Sequence, residues 1–301
     1  MYIDRKNIDR LQSGLGLETV VLFLGMAAFA ALVAYLVFGP LGVVLGLGVS
    51  VFGWAVLPRT GPSTLLRSGK VRTIDYNEAP ILVSAVAELA EAAGLRRRPR
   101  LGYIPSPTPN ALTVGDTSDS LIVVTGGLLS RLTNRQLRAV LAHEIGHIKN
   151  GDIRILEATT RLSAMTVAVT RMAMLFTFFL LPFAVMGGVF FSPLAFPVLI
   201  GAPILMLLLQ TAISRRREFA ADLTAAEISG DPHALAEALD RLRRPAPGLL
   251  GMILARPRPE EGSPFTTHPA TDERIRRLRA LMPSPWQHGR LRRVSGEARF
   301  L

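Results

Sequence analysis

The stretch LRAVLAHEIGHIKNGD, from Leu137 to Asp152, holds two of the chain's five histidines, His143 and His147, with Glu144 between them. Positions four apart lie on one face of a helix, so both imidazoles can reach the same metal ion. Zinc bound in this way lowers the pKa of an attacking water, and Glu144 is near enough to take the proton. The stretch therefore predicts a zinc-binding helix with a catalytic glutamate. The alternative is a helix that carries two histidines by accident.

A catalytic zinc site needs a third protein ligand, and the chain has no cysteine to supply one. The best candidate is Glu218, in the segment RREFAAD that ends at Asp222. Asp222 follows one helical turn later and can accept the N–H of a ligating histidine, which would fix the orientation of that imidazole. A solvated glutamate paired with an arginine is the open alternative for Glu218.

The flanking segments have the patterns of a compact α/β domain. Thr133 and Gln136 form a capping box that begins the zinc helix, and Asn150-Gly151 is typical of a helix end. Two short strands, Ala111 to Gly115 and Leu121 to Thr125, are joined by a polar turn. We further predict helices at 75–93, 215–228, 231–244 and 272–281, a long loop at 245–266 and a basic tail from 283 onwards.

Two long runs, residues 19–58 and 172–214, contain no charged side chain. A bilayer core needs about 20 helical residues, so each run is about twice the length of one span. Turn residues interrupt both runs, at Phe38 to Pro40 and at Met186 to Pro193. These features predict two helical hairpins, with transmembrane helices near 20–38, 41–57, 172–190 and 194–213. The alternative is a pair of very long core helices in a soluble protein.

Charge indicates the orientation in the lipid bilayer. The lysines and arginines flanking both runs fall on one side if each hairpin crosses and returns, and the hairpin tips are uncharged. The positive-inside rule then predicts a multi-pass protein of the cell (inner) membrane with both termini cytoplasmic. The net charge of +11 does not indicate nucleic acid as a partner, because no nucleic-acid module or interleaved aromatic pattern accompanies it.

Four motifs together resemble a known family, the HtpX-type membrane zinc endopeptidases, which are relatives of the CAAX prenyl endopeptidases. The motifs are the HEIGH segment at 143–147, the RREFAAD segment at 216–222, Asn110-Ala111, and His268-Pro269 followed by Arg274. The resemblance implies that His143, His147 and Glu218 hold one zinc ion and that Glu144 is the base.

The resemblance also implies roles outside the metal site. Asn110 and Ala111 map to an edge strand that binds an extended substrate backbone. His268 and Arg274 map to groups that stabilise the oxyanion formed when water attacks the carbonyl. Without the resemblance, the alternative for His268 is an ordinary histidine in a loop.

We therefore expect an α-helical membrane protein with four transmembrane helices in two hairpins and an α+β cytoplasmic zincin-like metalloprotease domain. The expected segments are an N-terminal hairpin (1–58), the first part of the protease domain (59–171), the second hairpin (172–214), the second part of the protease domain (215–282) and a basic tail (283–301).

The expected function is zinc-dependent hydrolysis of peptide bonds in membrane or misfolded proteins at the cytoplasmic membrane surface. The resemblance implies a role in protein quality control and the stress response. Two other classes stay open. One is a catalytically silent membrane scaffold that retains the zinc site. The other is a transporter or channel, which is disfavoured because the spans contain almost no ionisable residues.

Overall fold

The structure is a computed structural model that describes residues 5–56, 61–186, 195–243 and 272–281. Most of these residues are helical. The elements are α1 (Arg5–Val56), α2 (Pro62–Arg67), β1 (Arg72–Thr73), α3 (Pro80–Ala92), β2 (Arg100–Ile104), β3 (Ala111–Gly115), β4 (Ser120–Thr125), α4 (Gly126–Arg131), α5 (Asn134–Lys149), α6 (Asp152–Met186), α7 (Ala195–Ser229), α8 (Pro232–Arg243) and α9 (Asp272–Ala280). His268, the loop 245–266 and the tail 283–301 lie outside the described residues.

The first apolar run forms helix α1, which is broken at Gly39. This residue has φ 65° and ψ −157°, a conformation open mainly to glycine, and Pro40 follows it. The break coincides with the turn expected from the sequence. Among the described residues, one helical segment, Arg10–Leu36, is long and apolar enough to cross a membrane by length and composition, with a hydropathy of 2.3. The four-helix arrangement stays a prediction.

The chain divides into two compact units, and the second consists of residues 12–61 and 151–218. Its core is a cluster of Met26, Met206 and Ile213, which are fully buried. Large apolar side chains also point outwards, among them Leu24 (61% exposed) and Phe178 (74% exposed). Exposed apolar surface on this scale is typical of a face that contacts lipid or another apolar partner.

The first unit contains a four-stranded sheet with the strand order β1-β2-β4-β3. Strands β2 and β4 are parallel, whereas β1 and β3 run antiparallel to their neighbours. One face of the sheet buries Val71, Leu112, Leu121 and Val123. Within the described part of the chain, strand β3 is the last strand at one edge of the sheet.

Several predicted elements of the first unit are confirmed and others differ. Strand β3 has its expected bounds, and β4 begins one residue early, at Ser120. The helix expected from Asp75 begins at Pro80, because residues 75–79 form a turn and proline fits the first helical position. Strand β2 was not predicted: it begins with a charged residue, and its parallel pairing with β4 is a non-local contact.

Helix α5 begins and ends where the sequence predicts. The Thr133 hydroxyl accepts a hydrogen bond from the backbone N–H of Gln136, and the Gln136 side chain accepts one from the N–H of Thr133. This capping box satisfies two amides that have no partner within the helix. The helix ends at Lys149, followed by Asn150 and by Gly151 with a φ of 67°.

Candidate metal centre

The two histidines of helix α5 point at a common position. Their Nε2 atoms are 3.1 Å apart and their rings are nearly perpendicular. Both side chains are buried. This convergence follows from helix geometry, because His143 and His147 are separated by about one turn.

A third candidate ligand completes the cluster. Ligand atoms of His143, His147 and Glu218 all lie within 4.8 Å of one another. Glu218 belongs to helix α7, which continues without a break through the segment that carries Asp222. With zinc–nitrogen distances of 2.0–2.1 Å, tetrahedral geometry would separate two ligand nitrogens by about 3.3 Å. The observed donor set of two imidazoles and one carboxylate therefore fits a single zinc ion.

A glycine allows α5 to approach α7 at the level of the histidines. A Cβ atom added to Gly146 would lie 2.9 Å from the carbonyl oxygen of Ala221 and 3.3 Å from the Cβ of Thr224. No real Cβ atom could occupy that position without moving the α7 backbone. The absence of a side chain at Gly146 therefore permits the close approach of α7.

Asp222 contacts the Nδ1 side of the His143 ring, and Arg274 binds the carboxylate of Asp222. Oδ1 of Asp222 lies 3.0 Å from Nδ1 of His143, so the carboxylate can accept the Nδ1 proton and leave Nε2 for a metal. Arg274 donates two hydrogen bonds to the same carboxylate, of 2.8 and 2.7 Å. Burial alone would raise the pKa of Asp222, but the Arg274 charge and the His143 hydrogen bond hold it below its usual value.

Helix α9 contacts α7 at two points one turn apart. Besides the Arg274–Asp222 pair, the guanidinium of Arg277 lies 3.9 Å from the ring centre of Phe219. Phe219 directly follows Glu218 in the chain. The two arginines of α9 therefore bind the turn of α7 that directly follows the candidate ligand Glu218.

Arg274 is almost fully buried, and its terminal nitrogen lies 3.4 Å from Nε2 of His143. The structure therefore brings this residue next to the histidine pair, where its guanidinium also neutralises Asp222. His268, the other residue expected to stabilise an oxyanion, lies outside the described residues.

Glu144 is buried beside the histidines and contacts the sheet. Its Oε2 accepts a hydrogen bond of 2.6 Å from the hydroxyl of Thr113 in strand β3. Only 1% of Glu144 is exposed. The sequence analysis missed Thr113. The one sequence signal for Thr113 was the alternation of side-chain directions along the predicted strand, which places Ala111 and Thr113 on the face opposite Leu112.

Asn110 and Ala111 lie at the start of the edge strand. The backbone N–H of Asn110 donates to the Thr125 hydroxyl at 2.8 Å, and its carbonyl accepts from the N–H of Thr125 at 3.1 Å. Thr125 also donates to the carbonyl of Thr108 at 2.8 Å. One buried threonine thus fixes the backbone that leads into β3.

A second pair missed by the sequence analysis involves the neighbour of Glu218. Arg217 donates hydrogen bonds to the carboxylate of Asp152, and both side chains are buried. Asp152 is the first residue of helix α6. The pair ties the start of α6 to the residue preceding the candidate ligand. No short motif indicates it, because the two residues are far apart in the chain.

Comparison with known proteins agrees with this geometry. Peptidase family M48 matches residues 77–282. The Protease HtpX homolog of Persephonella marina is 39% identical over 234 residues, covering 71% of this chain and 78% of that protein. The Protease HtpX homolog of Pyrococcus abyssi is 34% identical over 286 residues, covering 89% of this chain and 96% of that protein.

The fold also resembles a solved structure, the crystal structure of S. mikatae Ste24p. The TM-score is 0.50 at 21% identity, covering 88% of this chain and 67% of that chain. The likeness concerns the fold alone at this identity, whereas the family match spans the histidine pair, Glu218 and Arg274. The family match and the sequence identity to the HtpX homologs together show that the chain belongs to peptidase family M48.

Proposed function

We propose that this metalloprotease is a membrane-bound zinc endopeptidase in which His143, His147 and Glu218 hold the metal and Glu144 is the general base. Membership of the family makes the chain a metalloprotease with polypeptide substrates. The observation that carries the residue assignment is the convergence of three buried ligand atoms, all within 4.8 Å, next to a buried glutamate.

The chemistry follows from these groups. A zinc ion, when bound, lowers the pKa of an attacking water and polarises the scissile carbonyl. Glu144 takes a proton from the water as the water oxygen bonds to the carbonyl carbon. Glu144 then delivers this proton to the leaving nitrogen as the carbon–nitrogen bond breaks. The protein therefore returns to its starting protonation state after each cleavage.

Charged groups around the histidines prepare this chemistry in the proposal. Asp222 holds the Nδ1 proton of His143 and so sets the tautomer that presents Nε2. Arg274 balances the charge of Asp222 and lies near Nε2 of His143, where it can also stabilise the oxyanion. His268 is assigned the same oxyanion role on the resemblance alone.

Substrate binding is assigned to the edge of the sheet. Strand β3 begins at Ala111, and its outer side is available to an extended peptide because the strand is the last in the sheet. A substrate backbone paired there would add a fifth strand, with Asn110 at its end. The strand contacts the candidate base through Thr113, so a bound peptide would lie close to Glu144.

The membrane arrangement completes the proposal. We assign four transmembrane helices in two hairpins, the five segments set out above, and a cytoplasmic site in a multi-pass protein of the inner membrane. Support comes from the two uncharged runs, the span Arg10–Leu36 and the outward apolar side chains of the second unit. In this proposal the substrates are membrane or misfolded proteins at the cytoplasmic membrane surface, in quality control and the stress response.

Casein proteolysis tests the proposal. Wild type and Glu144→Gln are purified in detergent with a chelator, then supplied with zinc. We expect cleavage by wild type only, and only with zinc, while both proteins bind the metal. Cleavage by Glu144→Gln would disprove the role of Glu144. Zinc binding by both proteins without cleavage of casein or of a membrane-protein substrate would favour the silent scaffold.

A further inference from the structure

A hydrogen bond links the candidate base to the edge strand of the sheet. The Thr113 hydroxyl lies 2.6 Å from Oε2 of Glu144. The hydroxyl of Thr113 donates this hydrogen bond and the carboxylate oxygen of Glu144 accepts it. The separation is within the range typical of hydroxyl donors to charged oxygens, which are the stronger hydrogen bonds in proteins.

The position of Thr113 in the sheet explains why it reaches Glu144. Thr113 pairs with Ile122 of β4 and alternates in direction with Leu112 and Val114. Leu112 and Val114 join the apolar cluster on one face of the sheet. Thr113 therefore lies on the opposite face, where helix α5 carries Glu144.

The geometry makes Thr113 a rigid donor. Its backbone is held by the antiparallel ladder from Ala111 to Gly115, and its branched Cβ restricts rotation about χ1. Glu144, by contrast, has three side-chain torsions. A fixed hydroxyl on a strand can therefore select one orientation of the carboxylate, the one in which Oε2 accepts the hydrogen bond from Thr113.

We propose that Thr113 is a positioning residue for the base: its hydroxyl holds Glu144 in the reactive orientation and ties that orientation to the strand that binds substrate. This inference rests on the proposed function of Glu144. Thr113 keeps its own proton throughout, because the proton removed from water goes to Glu144 and then to the leaving nitrogen. Loss of the hydroxyl should therefore slow the chemical step without removing the metal or the substrate site.

The test compares Thr113→Val, Thr113→Ser and Thr113→Ala with wild type in casein or fluorogenic-peptide cleavage. Valine keeps the shape and β-branching of threonine but lacks the donor. We expect kcat to fall about 10- to 100-fold in Thr113→Val, as for the loss of one hydrogen bond to a charged group. KM, zinc content and melting temperature should stay close to wild type, and Thr113→Ser should recover most of kcat.

A binding measurement separates positioning from general damage. Hydroxamates bind zinc and place a polar group against the base, so the affinity of a peptide hydroxamate should fall in Thr113→Val and recover in Thr113→Ser. The matched control is Thr73→Val, the same change in the exposed edge strand β1 at the other side of the sheet. Neither kcat nor hydroxamate affinity should change in Thr73→Val.

Equal kcat values in Thr113→Val, Thr113→Ser and wild type would overturn the inference. If the valine variant does not fold, Thr113→Ala against Thr113→Ser decides: equal activity overturns the inference, and loss in alanine alone supports it. Glu144→Gln in the same assay separates the two claims. An active Glu144→Gln refutes the proposed base, whereas an inactive Glu144→Gln with a fully active Thr113→Val refutes only the role of Thr113.

Discussion

Nδ1 of His143 lies 3.0 Å from Oδ1 of Asp222, and the same carboxylate binds the buried guanidinium of Arg274 through two hydrogen bonds. One aspartate thus contacts a candidate ligand and neutralises a buried cation. The two tasks can be separated experimentally, because the first concerns zinc affinity and the second concerns folding stability.

Asp222→Asn should lower both properties. Zinc affinity, measured by competition with a chromophoric chelator, should fall about 10- to 100-fold, as for other partners of ligating histidines. The stability of the zinc-free protein should fall by about 3–5 kcal/mol, because the buried Arg274 charge loses the opposite charge of the Asp222 carboxylate.

Removing both charges supplies the control for this prediction. Asp222→Asn combined with Arg274→Met should regain stability relative to Asp222→Asn alone, but not zinc affinity. Asp75→Asn, the same change at an exposed position, should affect neither. Wild-type zinc affinity in Asp222→Asn would contradict the assigned role.

Gly146→Ala should weaken zinc binding. The new Cβ would lie 2.9 Å from the Ala221 carbonyl, so α5 and α7 must separate, and the histidines would move away from Glu218. The cost of such overpacking is about 1–3 kcal/mol, which exceeds the gain of about 1 kcal/mol from the better helix propensity of alanine. Melting temperature and zinc titration measure the two effects. Gly201→Ala, with no atom within 4 Å of the added Cβ, is the control and should lose neither.

The neighbouring arginines Arg216 and Arg217 should differ sharply in their contribution to stability. Arg217 pairs with Asp152 in a buried site, and burial lowers the pKa of Arg217. Arg216 pairs with Glu18 at a position where both side chains are about half exposed. Asp152→Asn should therefore cost about 3–5 kcal/mol and Glu18→Gln at most about 1 kcal/mol. Thermal unfolding in detergent measures both. Similar losses in the two variants would refute the distinction.

The Arg135–Asp231 pair should stabilise the fold only above strongly acidic pH. Two hydrogen bonds from Arg135, of 2.6 and 2.9 Å, lower the pKa of Asp231 below its ordinary 3.8. A lowered folded-state pKa means that the unfolded chain binds a proton more readily, so the stabilisation is complete above pH 3.8 and disappears as pH falls through the folded value.

Asp231→Asn isolates this contribution, because asparagine can still cap helix α8 through the N–H of Ala234. The variant should be less stable than wild type at pH 7 by up to about 1 kcal/mol, since the side chain of Arg135 is exposed and that of Asp231 is partly exposed. The difference should close below pH 3.8. Both proteins are made zinc-free, so that release of metal by acid does not contribute. A difference that persists unchanged at pH 3 would rule out the ionic origin.

The parts of this fold that the sequence predicts are those set by local rules. The capping box at Thr133, the spacing of His143 and His147, and the hairpin of β3 and β4 each depend on residues close in the chain. Glu218 was predicted as the third ligand from its segment, RREFAAD, and from the helix expected there. In the structure its carboxylate lies with His143 and His147 in one cluster.

The missed features depend on tertiary contacts. The parallel pairing of β2 with β4, the Arg217–Asp152 pair and the Thr113–Glu144 bond join residues from separate segments. Periodicity could place Thr113 on a face of β3, but not show that α5 brings Glu144 against it. The second hairpin as a membrane unit and the role of His268 stay predictions.

Metal analysis of the purified protein tests the central claim most directly. Wild type is saturated with zinc, separated from free metal and analysed by mass spectrometry for metal content and by X-ray absorption for ligand type. The account predicts one zinc per chain with two imidazole nitrogens, and loss of tight binding in both His147→Ala and Glu218→Gln, while Glu144→Gln retains the metal. No bound zinc in wild type, or full retention in the His147 and Glu218 variants, would contradict it.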